Sequence, residues 1–313
     1  HLDIAEKRLP QDGRILFEKE NQKIDIRVSI IPTLYGEKVV LRLLSNDTAK
    51  VELSSIGLTQ FDLANYLEGI KRPNGIILIC GPTGSGKTTT LYATLKTLNK
   101  DSRNILTIED PIEYTLEGIN QVQLKDNIGL SFAAALRTFL RQDPDIIMVG
   151  EIRDKETADM AIRAALTGHL VLSTIHTNSA WGIISRLIDM GVPSFLIADT
   201  LNTAAAQRLV RLLCPDCKKK ESFNSNMYPP KFKAPDKIEY HFTATGCQSC
   251  YNTGYKGRNA IFEVINIDEE LAFEIKAGSH KVDSFIKERK IKTLAENAFD
   301  LFARGETSIE EIY

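Results

Sequence analysis

Residues 81–89 read GPTGSGKTT and fit the pattern G-x-x-x-x-G-K-[ST]. The apolar run 76–80 precedes them and a helix-forming run over 89–98 follows. Glycines in such a strand-to-helix turn let successive backbone N–H groups converge on a polyphosphate. In this pattern Lys87 reaches the β- and γ-phosphates and the Thr88 hydroxyl ligates Mg²⁺. The flanking strand and helix favour this interpretation over a glycine-rich turn without a ligand. The predicted phosphate site comprises Gly81, Pro82, Thr83, Gly84, Ser85, Gly86, Lys87, Thr88 and Thr89.

Three further strand-like runs end in polar residues. The segment 107–113 contains three carboxylates, Glu109, Asp110 and Glu113. Glu151 follows the apolar run 145–149, although Gly150 stands where many phosphate-loop enzymes carry the Mg²⁺-binding Asp. His169 and His176 bracket the run 170–175. A lone carboxylate would be a solvated loop charge and a lone histidine a structural hydrogen bonder. Their occurrence together after a phosphate loop instead indicates a catalytic set.

Two C-x₂-C pairs point to a metal. They are Cys214 with Cys217 and Cys247 with Cys250, and 29 residues separate Cys217 from Cys247. Two thiolates from each pair suit one tetrahedral zinc ion, and four protein ligands leave no open position, so the predicted zinc is structural. Disulfides are one alternative, disfavoured in a reducing compartment. A redox C-x-x-C is another, disfavoured because neither pair opens a βα unit.

The helices and strands of the whole chain must position these residues. Residues 1–46 are strand-rich, with alternation over 24–30 and an apolar run over 39–44, and predict a small α+β domain. We predict a linker with a short helix over 47–72 and alternating strands and helices over 73–213. Such alternation predicts an α/β fold with a mostly parallel sheet, whose strand carboxyl ends carry the ligand site. The tetracysteine module, 214–250, and a C-terminal region, 251–313, complete the organisation.

The composition limits the classes of protein to which this chain can belong. The 313 residues are 43% hydrophobic, enough for two domains and a small module. The net charge of −2 argues against nucleic acid as a partner. The sequence has neither an apolar stretch as long as a membrane span nor a signal-peptide pattern. We therefore expect a cytosolic protein whose membrane role, if any, runs through partners.

These motifs together resemble those of the traffic ATPases of type II secretion and type IV pilus assembly. The segments that carry the resemblance are 81–89, 107–113, 140–154 and 167–176. Residues 10–14 and 25–29 resemble the family's second N-terminal domain, and 254–258 with 261–263 resemble its C-terminal region. The likeness thus extends over nearly the whole chain.

The resemblance implies a fold and a set of roles. It implies a RecA-like phosphate-loop domain, with 81–89 as the Walker A motif and 107–113 as the aspartate box. Glu113 becomes the candidate general base, Glu151 the Walker B glutamate, and His169 and His176 the histidine box. The expected cofactors are ATP, Mg²⁺ and Zn²⁺.

The resemblance also implies an oligomeric state, a cellular location and a partner. It implies a homo-hexameric cytoplasmic motor that drives assembly of a pilus or pseudopilus. The motor would lie peripherally at the inner membrane, bound to a platform protein through a first N-terminal domain. No segment of the sequence matches that domain and the chain begins with His1, so we expect a fragment of a longer protein.

Three arginines of the N-terminal domain, Arg14, Arg27 and Arg42, alternate with residues that should face its core. Each alone is best explained as a solvated charge. Because the resemblance places this domain over the nucleotide, we predict that they project from one surface and neutralise charge on the transferred phosphoryl group.

Three other functions share parts of this pattern. Pilus retraction ATPases share the same boxes but as a family lack the tetracysteine module. A zinc-containing nucleic-acid translocase predicts a basic groove, which the near-neutral charge disfavours. A non-catalytic adaptor held by zinc is disfavoured by the presence of Lys87, Thr88, Glu113 and Glu151.

Overall fold

The computed structural model describes residues 2–19, 22–44, 51–228, 232, 234, 237–278 and 282–312. These residues form two compact units: residues 1–51 with 113–115, and residues 52–112 with 116–313. Part of the predicted linker, 47–50, and the Pro229-Pro230 pair within the tetracysteine segment lie outside the described residues. No helix in the described part of the chain is long and apolar enough to cross a membrane.

The first unit contains a three-stranded antiparallel sheet in the order β1-β2-β3. Its strands are β1 (Gln11–Lys19), β2 (Gln22–Thr33) and β3 (Gly36–Leu44). The alternation that predicted β2 separates Ile26 and Val28 from Arg27, because successive residues of a strand point to opposite faces. An α+β domain was expected over 1–46. Residues 2–19 and 22–44 instead contain strands and no helix.

A seven-stranded sheet forms the centre of the second unit, in the order β12-β9-β4-β8-β7-β5-β6. Neighbouring strands from β9 to β6 are parallel, and β12 is antiparallel to β9 at one edge. The strands of this sheet are β4 (Gly75–Cys80), β5 (Ile105–Glu109), β6 (Asn120–Gln123), β7 (Ile146–Val149), β8 (Leu170–Ile175), β9 (Leu201–Leu213) and β12 (Tyr255–Asn266). The predicted mostly parallel α/β sheet is thereby confirmed.

Helices flank this sheet. They are α1 (Gln60–Lys71), α2 (Lys87–Leu98), α3 (Phe132–Phe139), α4 (Lys155–Leu166), α5 (Gly182–Asp189), α6 (Ser194–Thr200), α7 (Glu269–Ala277), α8 (Val282–Glu288) and α9 (Leu294–Ala303). Every residue of β4, β7 and β8 is buried, as expected for parallel strands covered on both faces. Asp154 caps α4 by accepting a hydrogen bond from the Thr157 N–H at 2.8 Å.

Helix α1 lies in the segment predicted to be a linker, but it packs on β12 and β9. The approach is close at Gly69, where a Cβ atom would lie 1.9 Å from Thr203 Oγ1. Residues 52–72 consequently group with the second unit. The short helix predicted in this segment is present, and its buried face covers β12, at the edge of the sheet, and β9.

The C-terminal region also belongs to this sheet, because β12 pairs with β9 along most of its length. Near the chain end, Glu311 accepts hydrogen bonds from the backbone N–H and the guanidinium of Arg211, at 2.9 and 2.6–2.8 Å. The guanidinium lies 4.0 Å from the centroid of the Tyr255 ring. These contacts fasten the last residues described to the strand that leads into Cys214.

The tetracysteine segment contains a two-stranded antiparallel sheet of β10 (Lys219–Ser222) and β11 (Tyr240–Thr243). Phe223, Tyr228 and His241 pack there with Phe299 and Phe302 of α9. This aromatic cluster joins the module to the main body of the second unit.

Candidate functional site

The loop 81–86 leaves β4 at the carboxyl edge of the sheet, between β8 and β9. Gly86 is the N-cap of α2 with φ 88°, a left-handed conformation that glycine adopts without cost, and it offers no side-chain cap to the helix. The N–H groups of the first turn of α2 are therefore available to an anion. Gly81 is required for a different reason, because a Cβ there would lie 2.3 Å from the carbonyl oxygen of Gln207.

Lys87 turns back over this loop. Its ammonium donates to the carbonyl oxygens of Gly81 at 2.8 Å and Pro82 at 2.9 Å. Burial lowers the pKa of Lys87 from its ordinary value, although the nearby carboxylate of Glu151 acts in the opposite direction. A phosphate group would replace the two carbonyl contacts with a full counter-charge.

Two hydroxyl groups complete the phosphate loop. Ser85 is buried, and its Oγ has no hydrogen-bond partner among the described residues. Thr88 is exposed in the first turn of α2. An unpartnered hydroxyl, a free helix N-terminus and a lysine fit a triphosphate, and the exposed Thr88 hydroxyl suits an accompanying Mg²⁺.

Gln207 of β9 was not predicted from the sequence. It is buried, and its side-chain oxygen accepts a hydrogen bond from Thr90 Oγ1 at 2.8 Å. It therefore holds α2 against β9 beside the loop. The available signal was one amide beside Arg208 in the otherwise apolar segment 204–210, which does not by itself indicate a site.

Glu151 and His176 come together at the same edge of the sheet, after β7 and β8. His176 Nε2 lies 3.0 Å from Glu151 Oε2. Arg153 binds the other oxygen of Glu151 and lies 3.3 Å from Asp110 at the end of β5. Four polar side chains from three strand ends thus form one network. Asp110 is one of the three carboxylates predicted beside the phosphates, whereas Arg153 had been given no role from the sequence.

His169 does not belong to this network. It precedes β8 at the amino edge of the sheet, where its Nδ1 is 2.9 Å from the carbonyl oxygen of Ala164 and 3.2 Å from Thr167 Oγ1. Six residues of extended chain, 170–175, separate it from His176, so the two histidines are about 23 Å apart. Within this unit the structure does not bring His169 to the phosphate loop, because the two histidines occupy opposite ends of one strand.

Glu109 is one of the three carboxylates predicted beside the phosphates. It is buried and accepts hydrogen bonds from the hydroxyl of Tyr92, from Thr107 Oγ1 at 2.6 Å and from Gln121 Nε2 at 3.0 Å. Three neutral donors from α2, β5 and β6 satisfy it. Glu109 therefore ties the phosphate-loop helix to the sheet.

In the first unit, the three predicted arginines stand in one row. Arg14 of β1 is paired with Arg27 of β2, and Arg27 is paired with Arg42 of β3. Directly opposed residues lie on the same face of a sheet, so the three share one face. Arg27 Nη2 lies 2.7 Å from Oε2 of Glu113, whose segment groups with this unit.

The four cysteines of the two C-x₂-C pairs converge. All four Sγ atoms lie within 4.8 Å of one another. Three of the separations are 3.9 Å for Cys214–Cys247, 3.8 Å for Cys217–Cys250 and 3.7 Å for Cys247–Cys250. Sulfurs around a tetrahedral Zn²⁺ with bonds of 2.3 Å stand about 3.8 Å apart, so the cluster fits zinc.

Backbone donors support thiolate character at Cys250. Its Sγ accepts hydrogen bonds from the N–H groups of Cys247 and Gly254, each at 3.2 Å. Burial alone would raise the pKa of the Cys250 thiol, but these donors and the neighbouring thiols outweigh it and lower the pKa to about 6. A thiolate is the form that ligates a metal.

A phosphate loop at the carboxyl edge of a mostly parallel sheet, with Glu151 on the next-but-one strand, defines a P-loop nucleotide-binding protein. The model of the family described as type II/IV secretion system protein matches residues 1–313, and the chain belongs to this family.

Two curated relatives and one solved structure show which proteins of this kind the chain resembles. The chain is 47% identical over 316 residues to the type II secretion system ATPase E of Vibrio cholerae, covering 99% of this chain and 62% of that protein. It is 48% identical over 319 residues to the type IV pilus assembly ATPase PilB of Myxococcus xanthus, covering 99% and 56%. A crystal structure of the pilus retraction motor PilT with bound ADP matches with a TM-score of 0.71 at 28% identity, covering 97% and 77%. The chain thus spans less than two-thirds of the length of these two curated relatives.

Proposed function

We propose that this chain hydrolyses ATP with Mg²⁺ and powers the assembly of a type II secretion pseudopilus or a type IV pilus. The observation that carries the proposal is the phosphate loop beside the Glu151–His176 pair, in a chain nearly half identical to an ATPase of each system. The test is phosphate release from Mg²⁺-ATP by the purified chain. Absence of release above a Lys87→Ala control would overturn the proposal.

Lys87 and the loop N–H groups bind the phosphates. The lysine exchanges its two carbonyl contacts for the β- and γ-phosphates, and its charge offsets the charge that builds up as the phosphoryl group leaves. Thr88 holds Mg²⁺, which neutralises phosphate charge when bound.

A carboxylate orients the attacking water and accepts its proton. We assign this role to Glu113, supported by Glu151. Glu113 is bound to Arg27, and that ion pair must open or be shared before Glu113 can accept a proton. Glu151 is already held by Arg153 and His176, so its orientation is fixed at the sheet edge.

We extend the proposal to the arginine row and to assembly. Arg27, Arg42 and Arg14 are assigned to the transition-state charge, with closure of the N-terminal domain on ATP completed within a homo-hexameric ring. The ring would work in the cytoplasm against an inner-membrane platform protein. The shared face of the three arginines supports this role, because one cross-strand row presents all three guanidinium groups together.

The four cysteines hold a structural zinc ion in this proposal. The near-tetrahedral sulfur separations support it. All four positions of the metal are filled by thiolates, so the ion takes no part in hydrolysis and stabilises the segment between Cys214 and Cys250.

Pilus retraction is a second candidate, favoured by the match to the retraction motor PilT. Identity to that structure is 28%, against 47% and 48% to the secretion and pilus assembly ATPases. Introducing Lys87→Ala into the full-length gene separates the two. Loss of secretion or of pili supports assembly, and accumulation of unretracted pili supports retraction.

A further inference from the structure

The loop after β8, residues 177–181, connects His176 to α5 and lies against the sheet. Cys80 Sγ is 3.2 Å from the carbonyl oxygen of Ser179. Arg208 of β9 donates to Asn178 Oδ1 at 3.2 Å. Two strands of the sheet thus contact this loop just beyond the histidine.

A third strand contributes a buried carboxylate. Glu263 of β12 is 5% exposed, and its Oε1 accepts a hydrogen bond from the N–H of Ala180 at 2.9 Å. Glu263 is paired with Ala206 of β9, which is paired with Cys80 of β4. Glu263 and Cys80 therefore stand in one cross-strand row, and the small Ala206 between them leaves room for the loop.

The same carboxylate also lies near a second element, because the backbone N–H of Leu294, the first residue of α9, acts to lower its pKa. Burial raises the pKa of Glu263, while these two N–H groups act against it. A buried carboxylate is costly unless its oxygens are satisfied, and the Ala180 N–H of the loop 177–181 satisfies one of them.

We propose that Glu263 is a positioning residue: its carboxylate fixes the loop 177–181 through Ala180 and thereby keeps His176 in contact with Glu151. This inference rests on the proposed hydrolysis, in which the Glu151–His176 pair takes part. It gives the C-terminal region a role at the nucleotide site without touching the nucleotide. The geometry matters because a small displacement of an orienting group costs up to about 100-fold in rate.

The test begins with four single variants of the whole chain. Glu263→Ala removes both acceptors, whereas Glu263→Gln retains an oxygen for the Ala180 N–H. Asn297→Ala is the matched control, since the buried Asn297 of α9 donates to the carbonyl oxygen of Phe262 at 2.7 Å and does not contact the loop. Ser179→Ala removes the hydroxyl that accepts a hydrogen bond from the Gly182 N–H and so loosens the same loop from its solvent side. If Glu263→Ala does not fold, Ser179→Ala replaces it in the test.

Hydrogen exchange tests the contact itself and needs no hydrolysis. In Glu263→Ala we expect exchange in a peptide covering 177–182 to rise at least about tenfold, since an amide that loses its acceptor opens more often. Glu263→Gln should restore most of the protection, and Asn297→Ala should leave this peptide unchanged. Unaltered exchange in Glu263→Ala would overturn the positioning role.

Steady-state kinetics test the consequence. Glu263→Ala should lower kcat about tenfold with nucleotide affinity unchanged, and Glu263→Gln should recover most of that loss. In a His176→Ala background, Glu263→Ala should cost less than about twofold, since residues that act through one another are not additive. Additive losses would overturn the inference. Failure of wild-type turnover would overturn the proposed function, and hydrogen exchange would still decide the contact.

Discussion

Arg27 and Glu113 form an ion pair, with Nη2 and Oε2 separated by 2.7 Å. Arg27 belongs to β2, whereas Glu113 lies in the aspartate box, almost ninety residues later in the sequence. The residue proposed as general base and the arginine proposed to meet the transferred phosphoryl group are therefore ion-pair partners.

Glu113→Gln should bind ATP as the wild type does and lose hydrolysis, because only the proton-accepting group is removed. Phosphate release and the binding of a fluorescent ATP analogue measure the two properties. The exposed Glu117 in the same connection provides the control, and Glu117→Gln should be active. Normal turnover by Glu113→Gln would transfer the base role to Glu151.

Arg27→Ala should lower kcat much more than ATP affinity, by about 10³-fold if it supplies the transition-state charge. Arg42→Ala should act in the same direction. Lys38 lies on the same face of β3 as Arg42 and is exposed, so Lys38→Ala is a matched control that should retain turnover. Turnover per chain should also rise with protein concentration as rings form. Wild-type kcat in both arginine variants, with activity independent of concentration, would refute the ring mechanism.

Lys87→Ala should reduce ATP turnover at least about 100-fold, because a principal cation facing the phosphates is lost. Lys100 lies just beyond the same helix and is exposed. Lys100→Ala should therefore behave as wild type. Retention of turnover by Lys87→Ala would exclude the phosphate loop as the catalytic site.

The lowered pKa of Lys87 predicts a pH dependence. Its folded-state pKa lies below the ordinary 10.5, so raising the pH removes the ammonium charge earlier than for an exposed lysine. Nucleotide affinity should therefore fall on the alkaline side, beginning below pH 10.5. Lys87→Arg, whose guanidinium stays charged, should bind without this alkaline decline. The same decline in both proteins would assign it to another group.

Protein purified without chelator should contain about one zinc ion per chain, since four thiolates saturate one tetrahedral ion. Cys247→Ser should release the metal and unfold the segment between Cys214 and Cys250, because structural zinc contributes on the order of 10 kcal/mol to local folding. Metal analysis and hydrogen exchange measure both effects, and nucleotide binding should persist. Cys80→Ser, outside the module, should keep its zinc. Zinc-free wild-type protein would refute the site.

The sequence was sufficient to predict the phosphate loop, the parallel sheet and the cysteine cluster, because glycine spacing, buried apolar strands and paired C-x₂-C motifs are local signals. It did not indicate β9. Its Ala204, Ala205 and Ala206 have high helix propensity, and only pairing with β4 and β12 makes them a strand.

Contacts between residues far apart in the sequence could not be predicted either. Nothing in the spacing links Tyr92 to Glu109, or Glu263 to Ala180, since each pair meets only when the sheet has formed. The arginine row could be predicted in part. Alternation predicted one shared face, but the direct pairing of Arg14, Arg27 and Arg42 depends on the register of three strands.

Strand β9 passes beside the phosphate loop at Gln207 and ends at Leu213, and Cys214 follows without a linker. Six residues lie between Gln207 and Cys214, so the two positions are about 23 Å apart along the extended chain. The phosphate loop and the cysteine cluster are therefore joined by one continuous strand, which β12 pairs from Thr203 to Leu213, rather than by a flexible connection.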